Sequence, residues 1–119
     1  MIPCPKPVRV RDDGLRAFIR GLPCLLAFEE PCTCGAYLNV VTRRTPIEAA
    51  HVKSVGSGGG DPENLVPLCG AHHRGLRGQH QKGIATFERE HRDALEGRTL
   101  KQIARELDAL YRAELPPAA

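Results

Sequence analysis

Asn64-Leu65-Val66-Pro67-Leu68-Cys69-Gly70-Ala71-His72-His73 is the stretch on which the reading of this chain turns. An apolar run ends in a cysteine, a glycine and two adjacent histidines. Asn64 to Leu68 reads as an approach to a short helix beginning near Cys69, which Gly75 and Gly78 should interrupt. Neighbouring helical residues project about 100° apart, so His72 and His73 are poorly placed to grip one ion together. Cys69 and His72, at i and i+3, share a face and suit the second half of a zinc knuckle. Upstream cysteines should supply the first half of a tetrahedral, thiolate-rich structural site. His73 then points elsewhere, towards His51 and His80. Two sites account for these residues better than one.

Outward from this stretch, Gly56 to Glu63 reads as a loop, and Ile47 to Val55 and Tyr37 to Val41 are β-branched runs that predict two or three strands. Asp13 is a candidate cap for a helix from Gly14 to Arg20, stopped by Gly21 and Pro23. Downstream, Thr86 to Leu95 predicts a helix ended by Gly97. Thr99 caps another, Leu100 to Ala113, in which Leu100, Ile103, Ala104, Leu107 and Leu110 recur at helical spacing before Pro116 and Pro117. Residues 1–12, with Pro3, Pro5 and Pro7, read as an extended arm.

The bulk properties narrow the class. A chain of 119 residues with 4% aromatics and no tryptophan is one small domain that gains from a metal staple. Its five cysteines are an odd number, and no secretory signal or apolar run of roughly 18 residues is present. Thiolate metal ligands in a reducing cytoplasm fit better than disulfides. Cys4, in the proline-rich arm, reads as a free thiol. The net charge is +3, and the excess is concentrated: Pro31 to Phe87 holds six basic residues against three acids, and the remainder balances eleven against eleven. A basic middle segment suits a phosphate-bearing partner.

Ala50-His51-Val52, the glycine-rich loop and the Asn64–His73 stretch resemble the HNH nuclease motif of the ββα-metal fold. Leu22-Pro23-Cys24 and Gln79-His80-Gln81-Lys82-Gly83 resemble phage- and prophage-encoded HNH proteins linked to recombination. The resemblance covers roughly residues 22 to 83. It implies an α+β fold, a ββα-metal core with a zinc knuckle over residues 22–83 and a helical tail over 84–115. The implied activity is metal-dependent cleavage of DNA phosphodiester bonds. His51 takes the place of the general base, Asn64 that of the loop-fixing asparagine, and His73 that of a catalytic-metal ligand. His80 matches a further ligand at a longer spacing than usual. Many relatives have an acidic or histidine ligand immediately before the base, where this chain has Ala50; Glu48, two residues back, is a candidate substitute.

The favoured set for structural zinc is Cys24, Cys32, Cys69 and His72, with Cys34 as the rival of Cys32. The catalytic ion would be Mn²⁺, Mg²⁺, Co²⁺, Ni²⁺ or Zn²⁺, histidine ligands favouring the ions other than Mg²⁺. Lys53, Arg74, Arg77 and Lys82 are candidates for DNA backbone contacts. The partners expected are DNA and no membrane, with a homodimer as a candidate assembly. The rival function is a zinc-stapled DNA-binding module that has lost catalysis, with Ala50 as the lesion. A zinc hydrolase acting on another substrate is remote, because no His-Glu-x-x-His pattern is present. His91 reads as a surface residue.

Overall fold

The computed structural model describes residues 10–27, 47–53, 59–75 and 78–114. Cys4, Cys32, Cys34, Arg77, the run Tyr37 to Val41 and the prolines at 116 and 117 lie outside them. The described elements form a small mixed α/β domain around a two-stranded antiparallel sheet.

The first helix, α1 (Asp13–Arg20), is capped by Asp12 rather than Asp13: the Asp12 carboxylate accepts from the Leu15 N–H at 3.0 Å. Asp13 is instead the first helical residue, where its charge meets the positive end of the helix dipole. Leu15 and Ile19, one turn apart, are buried against Leu65.

Strands β1 (Ile47–His51) and β2 (Leu65–Cys69) pair with Ile47 opposite Cys69 and His51 opposite Leu65. The stretch expected as an approach to a helix is therefore itself a strand. Pro67 obscured this, yet a two-stranded ribbon tolerates its missing N–H, and its carbonyl accepts from the Leu25 N–H at 3.1 Å. All five β2 residues are buried. Leu65 packs with α1, whereas Val66 and Leu68 belong to the main core with Phe87, Leu95, Leu100 and Ile103.

The chain turns from β2 into α2 (Gly70–Arg74), which ends at Gly75, and then into α3 (Gln79–Lys82), which begins after Gly78. Gly83, at φ +83°, connects α3 directly to α4 (Ile84–Glu90). The expected helix Thr86–Leu95 thus starts earlier and stops at Glu90; turns carry the chain on to the buried Leu95. The last helix, α5 (Leu100–Glu114), opens with a reciprocal capping box: Gln102 N–H donates to Thr99 Oγ1 at 3.1 Å, and Thr99 N–H to Gln102 Oε1 at 2.8 Å.

α5 buries Leu100, Ile103 and Ala104, while Leu110 is 48% exposed. Polar contacts from this helix brace two other regions. Arg112 reaches the Asp12 cap at 2.7 Å. Asp108 accepts from the Glu63 N–H at 2.9 Å, and Lys101 donates to the Glu63 carbonyl at 2.7 Å. Glu63 has φ +55°, a conformation costly for a residue with a side chain, so α5 holds the turn that leads into Asn64. No helix among the described residues is long and apolar enough to cross a membrane.

Candidate functional site: a sulfur–histidine cluster beside a polar sheet edge

Cys69 ends β2, His72 lies one turn on in α2, and Cys24 approaches from the segment after α1. The three side chains are buried, and their ligand atoms lie within 4.8 Å of one another. His72 Nδ1 is 3.3 Å from Cys69 Sγ and 3.6 Å from Cys24 Sγ. Zinc bonds of about 2.3 Å to sulfur and 2.0–2.1 Å to nitrogen require a sulfur–nitrogen edge of about 3.5 Å in a tetrahedron. The donors fit a metal in both type and spacing. The cluster brings together Cys24, Cys69 and His72 of the expected four; Cys32 and Cys34, the candidates for the fourth corner, lie outside the described residues. His91 is not a bare surface residue: its ring packs on Phe87 at 4.7 Å and edge-on to His72 at 5.9 Å between centroids.

His73 turns the other way. Its Nδ1 lies 2.7 Å from Glu48 Oε1 on β1. Arg74 donates to both oxygens of the same carboxylate, at 2.9 and 2.6 Å. Burial alone would raise the Glu48 pKa, but Arg74 and His73 outweigh it and lower the net value. Burial lowers the pKa of His73 more than Glu48 raises it. An ionised carboxylate only accepts, so Nδ1 carries the proton and Nε2 is left bare, the orientation a carboxylate commonly imposes on a metal-binding histidine. Both oxygens of Glu48 are therefore engaged, one by His73 and Arg74 and the other by Arg74. Ala50 itself is fully buried in the core.

The structure brings His80 to His73 despite their separation in sequence: their rings lie edge to face with centroids 4.5 Å apart. α2 and α3 pack against each other, which brings the two rings together. Beside His80, Gln79 donates from Nε2 to the His51 carbonyl at 2.9 Å. Gln79 Oε1 is buried without a hydrogen-bond partner among the described residues. Gln79 thus ties the helix bearing His80 to the end of the strand bearing His51.

His51 Nε2 lies 2.8 Å from Asp61 Oδ1. Burial would raise the Asp61 pKa, but Arg16, the Asp12 N–H and His51 together hold it at about 2. The ionised oxygen can only accept, so His51 donates from Nε2, and in the neutral ring Nδ1 is then the unprotonated nitrogen. Asn64 ties Lys53, just after β1, to Gly60, just before Asp61. Its Oδ1 accepts from Lys53 N–H at 2.7 Å, and its Nδ2 donates to the carbonyls of Lys53 and Gly60 at 2.9 and 2.8 Å. Gly59 is confined to glycine by this closure, since a Cβ there would lie 2.2 Å from the Lys53 carbonyl oxygen.

Of the basic candidates, Lys53 and Arg74 are exposed, Arg74 while held by Glu48; Lys82 is half-buried and paired with Glu90. Arg77 lies outside the described residues. Asp61, Arg16 and Gln79 were missed by the sequence reading. Asp61 sits in a loop ten positions after His51, and no periodicity marks the pairing. Comparison with protein-family models, with curated proteins and with solved structures finds no match to this chain.

Proposed function

We propose that the chain is an HNH-type, metal-dependent endonuclease that hydrolyses DNA phosphodiester bonds. The observation that most supports this reading is that His51, oriented by Asp61 at the end of β1, has its carbonyl held by Gln79, whose neighbour His80 packs its ring against His73. His51 Nδ1 takes a proton from a water, whose oxygen forms a bond to phosphorus as the P–O3′ bond breaks. The departing 3′-oxygen leaves with a proton from solvent, giving 5′-phosphate and 3′-hydroxyl ends. Asp61, ionised and in contact with the ring, stabilises the imidazolium that forms. Asn64 holds the loop that carries Asp61 into place. Lys53 and Arg74, with Arg77 and Lys82, would contact backbone phosphates, which position DNA without reading its sequence.

His73 and His80 would hold the catalytic divalent ion, Mn²⁺, Mg²⁺, Co²⁺, Ni²⁺ or Zn²⁺, which when bound supplies positive charge for the phosphate and leaving oxygen. Cys24, Cys69 and His72, with Cys32 or Cys34, would hold structural zinc. Thiolate ligands suit a reducing compartment, and we place the protein in the cytoplasm, as a monomer or homodimer on DNA.

The decisive test is conversion of supercoiled plasmid by the full chain with Mg²⁺, Mn²⁺, Co²⁺ or Ni²⁺, beside His51→Ala. Metal-dependent nicking or linearisation is expected, reduced by about 10²-fold or more in His51→Ala. Zinc-loaded protein that binds plasmid but leaves it intact with every ion would overturn the nuclease reading in favour of the non-catalytic DNA-binding module.

A further inference from the structure

We infer that Asp61, clamped by the segment Val10–Arg16, is the positioning residue that fixes the His51 ring with Nδ1 turned to the attacking water. The inference rests on the nuclease reading for its role in catalysis and on geometry for the pairing itself.

Asp61 is 1% exposed and accepts four hydrogen bonds. Oδ2 receives the Asp12 N–H at 2.7 Å and Arg16 Nε at 2.7 Å; Oδ1 receives an Arg16 Nη2 N–H at 3.0 Å and His51 Nε2 at 2.8 Å. The Asp61 backbone N–H also donates to the Val10 carbonyl at 2.8 Å. The bidentate guanidinium fixes the plane of the carboxylate, so the oxygen that meets His51 cannot swing away. A carboxylate inserted only to satisfy Arg16 would need no third partner. Here the third partner is the one histidine of the sheet edge that does not touch another imidazole among the described residues.

The arrangement extends the site beyond the stretch that resembles the nuclease motif. Arg16 is on α1, whose Leu15 and Ile19 pack on Leu65, the β2 residue paired with His51. The same packing that seats α1 therefore seats the clamp. Arg112 from α5 holds Asp12, whose N–H meets Asp61. Helices at both ends of the chain thus converge on the orientation of one imidazole. A histidine acting as base needs its second nitrogen held by an acceptor, both to choose the tautomer and to stabilise the protonated ring. Asp61 supplies that acceptor.

The test uses the full zinc-loaded chain and the variants Asp61→Asn and Arg16→Gln. In wild type at alkaline pH, ¹⁵N–¹H correlation of the His51 ring should place the proton on Nε2, with slow exchange. That protection should disappear in Asp61→Asn and weaken in Arg16→Gln. In plasmid cleavage with Mn²⁺, Asp61→Asn should lower kcat by about 10²-fold with little change in KM. Arg16→Gln, which leaves the carboxylate in place but unclamped, should lose less. A His51 proton on Nδ1 in wild type would overturn the inference, as would unchanged kcat in Asp61→Asn. Should Asp61→Asn fail to fold, the wild-type tautomer and the Arg16→Gln kinetics decide. If wild type cleaves nothing, the nuclease reading falls, and the ring tautomer still decides whether Asp61 positions His51.

Discussion

His72 and His73 are adjacent on one short helix and have opposite surroundings. His72 is 1% exposed, with sulfur at 3.3 and 3.6 Å from its Nδ1. The Nδ1 of His73 meets a carboxylate at 2.7 Å, and its ring meets His80 at the sheet edge. A rotation of about 100° per residue is enough to send one imidazole into the core and the other to the rim. The partner then sets the role. Two thiols and an imidazole sealed in an apolar core make a closed site suited to holding the fold, whereas a carboxylate-oriented imidazole next to another leaves a nitrogen for chemistry. The regions also differ in what holds them: the inner one by a few strong donors around one centre, the outer one by many separate hydrogen bonds.

That difference predicts unequal failure. Structural zinc contributes about 10–16 kcal/mol in small metal-stapled domains, comparable to the whole stability of a domain, about 5–15 kcal/mol. Removing the proposed zinc with a strong chelator, or replacing Cys69 by Ser, should abolish the cooperative thermal transition seen by circular dichroism, and returning zinc should restore it only to the unmutated chain. An apoprotein that melts cooperatively within a few degrees of the metal-loaded form would erase the contrast between the two regions.

The outer region should fail by increments. Asn64→Ala removes three hydrogen bonds, to Lys53 N–H, Lys53 C=O and Gly60 C=O. At about 0.5–1.5 kcal/mol each, the loss should be about 1.5–4.5 kcal/mol. Asn64→Asp keeps the acceptor but sets a buried carboxylate oxygen against the carbonyls of Lys53 and Gly60, so it should lose at least as much. Urea unfolding in zinc-containing buffer would show a lower midpoint with an unchanged slope. Zinc content should be the same in all three proteins; loss of zinc from Asn64→Ala would mean that the two regions are not separable.

What could be read from the sequence follows the same division. The Cys69–His72 pair was legible because both residues lie within one helical turn, and α5 because its apolar positions repeat and Thr99 opens it. Cys24 was legible from residue type together with the Leu22-Pro23-Cys24 stretch that carries the family resemblance, since residue type alone does not choose among five cysteines. β2 was not, because Pro67 reads as a breaker until the ribbon partner and the Leu25 contact are known. Asp12 and Asp13 are both competent caps, and only the backbone chooses between them. Asp61 was illegible for a deeper reason: its partners Asp12, Arg16 and His51 are joined by tertiary packing of α1 on the sheet, which no local pattern encodes.

Acid offers the finest separation, because it should reach the two regions in a fixed order. A metal binds thiolate and neutral imidazole, so protons compete with it for the inner donors as pH falls. Asp61 is held at about 2, below its ordinary 3.8. A lowered carboxylate pKa favours the folded state wherever the unfolded group would already be ionised. Its contribution is therefore fully present above about pH 4, falls as pH drops through 3.8 towards 2, and is gone below that. The shift corresponds to about 2 kcal/mol. Zinc release, and with it loss of the fold, should thus precede any change in the Asp61 carboxyl ¹³C resonance, which should stay flat for as long as the metal-loaded fold persists. A midpoint at or above 3.8 in folded protein would mean that Arg16 and the Asp12 N–H do not outweigh the burial of Asp61. The outer region would then lose its charged anchor at the same stage of acidification at which the inner one loses its metal.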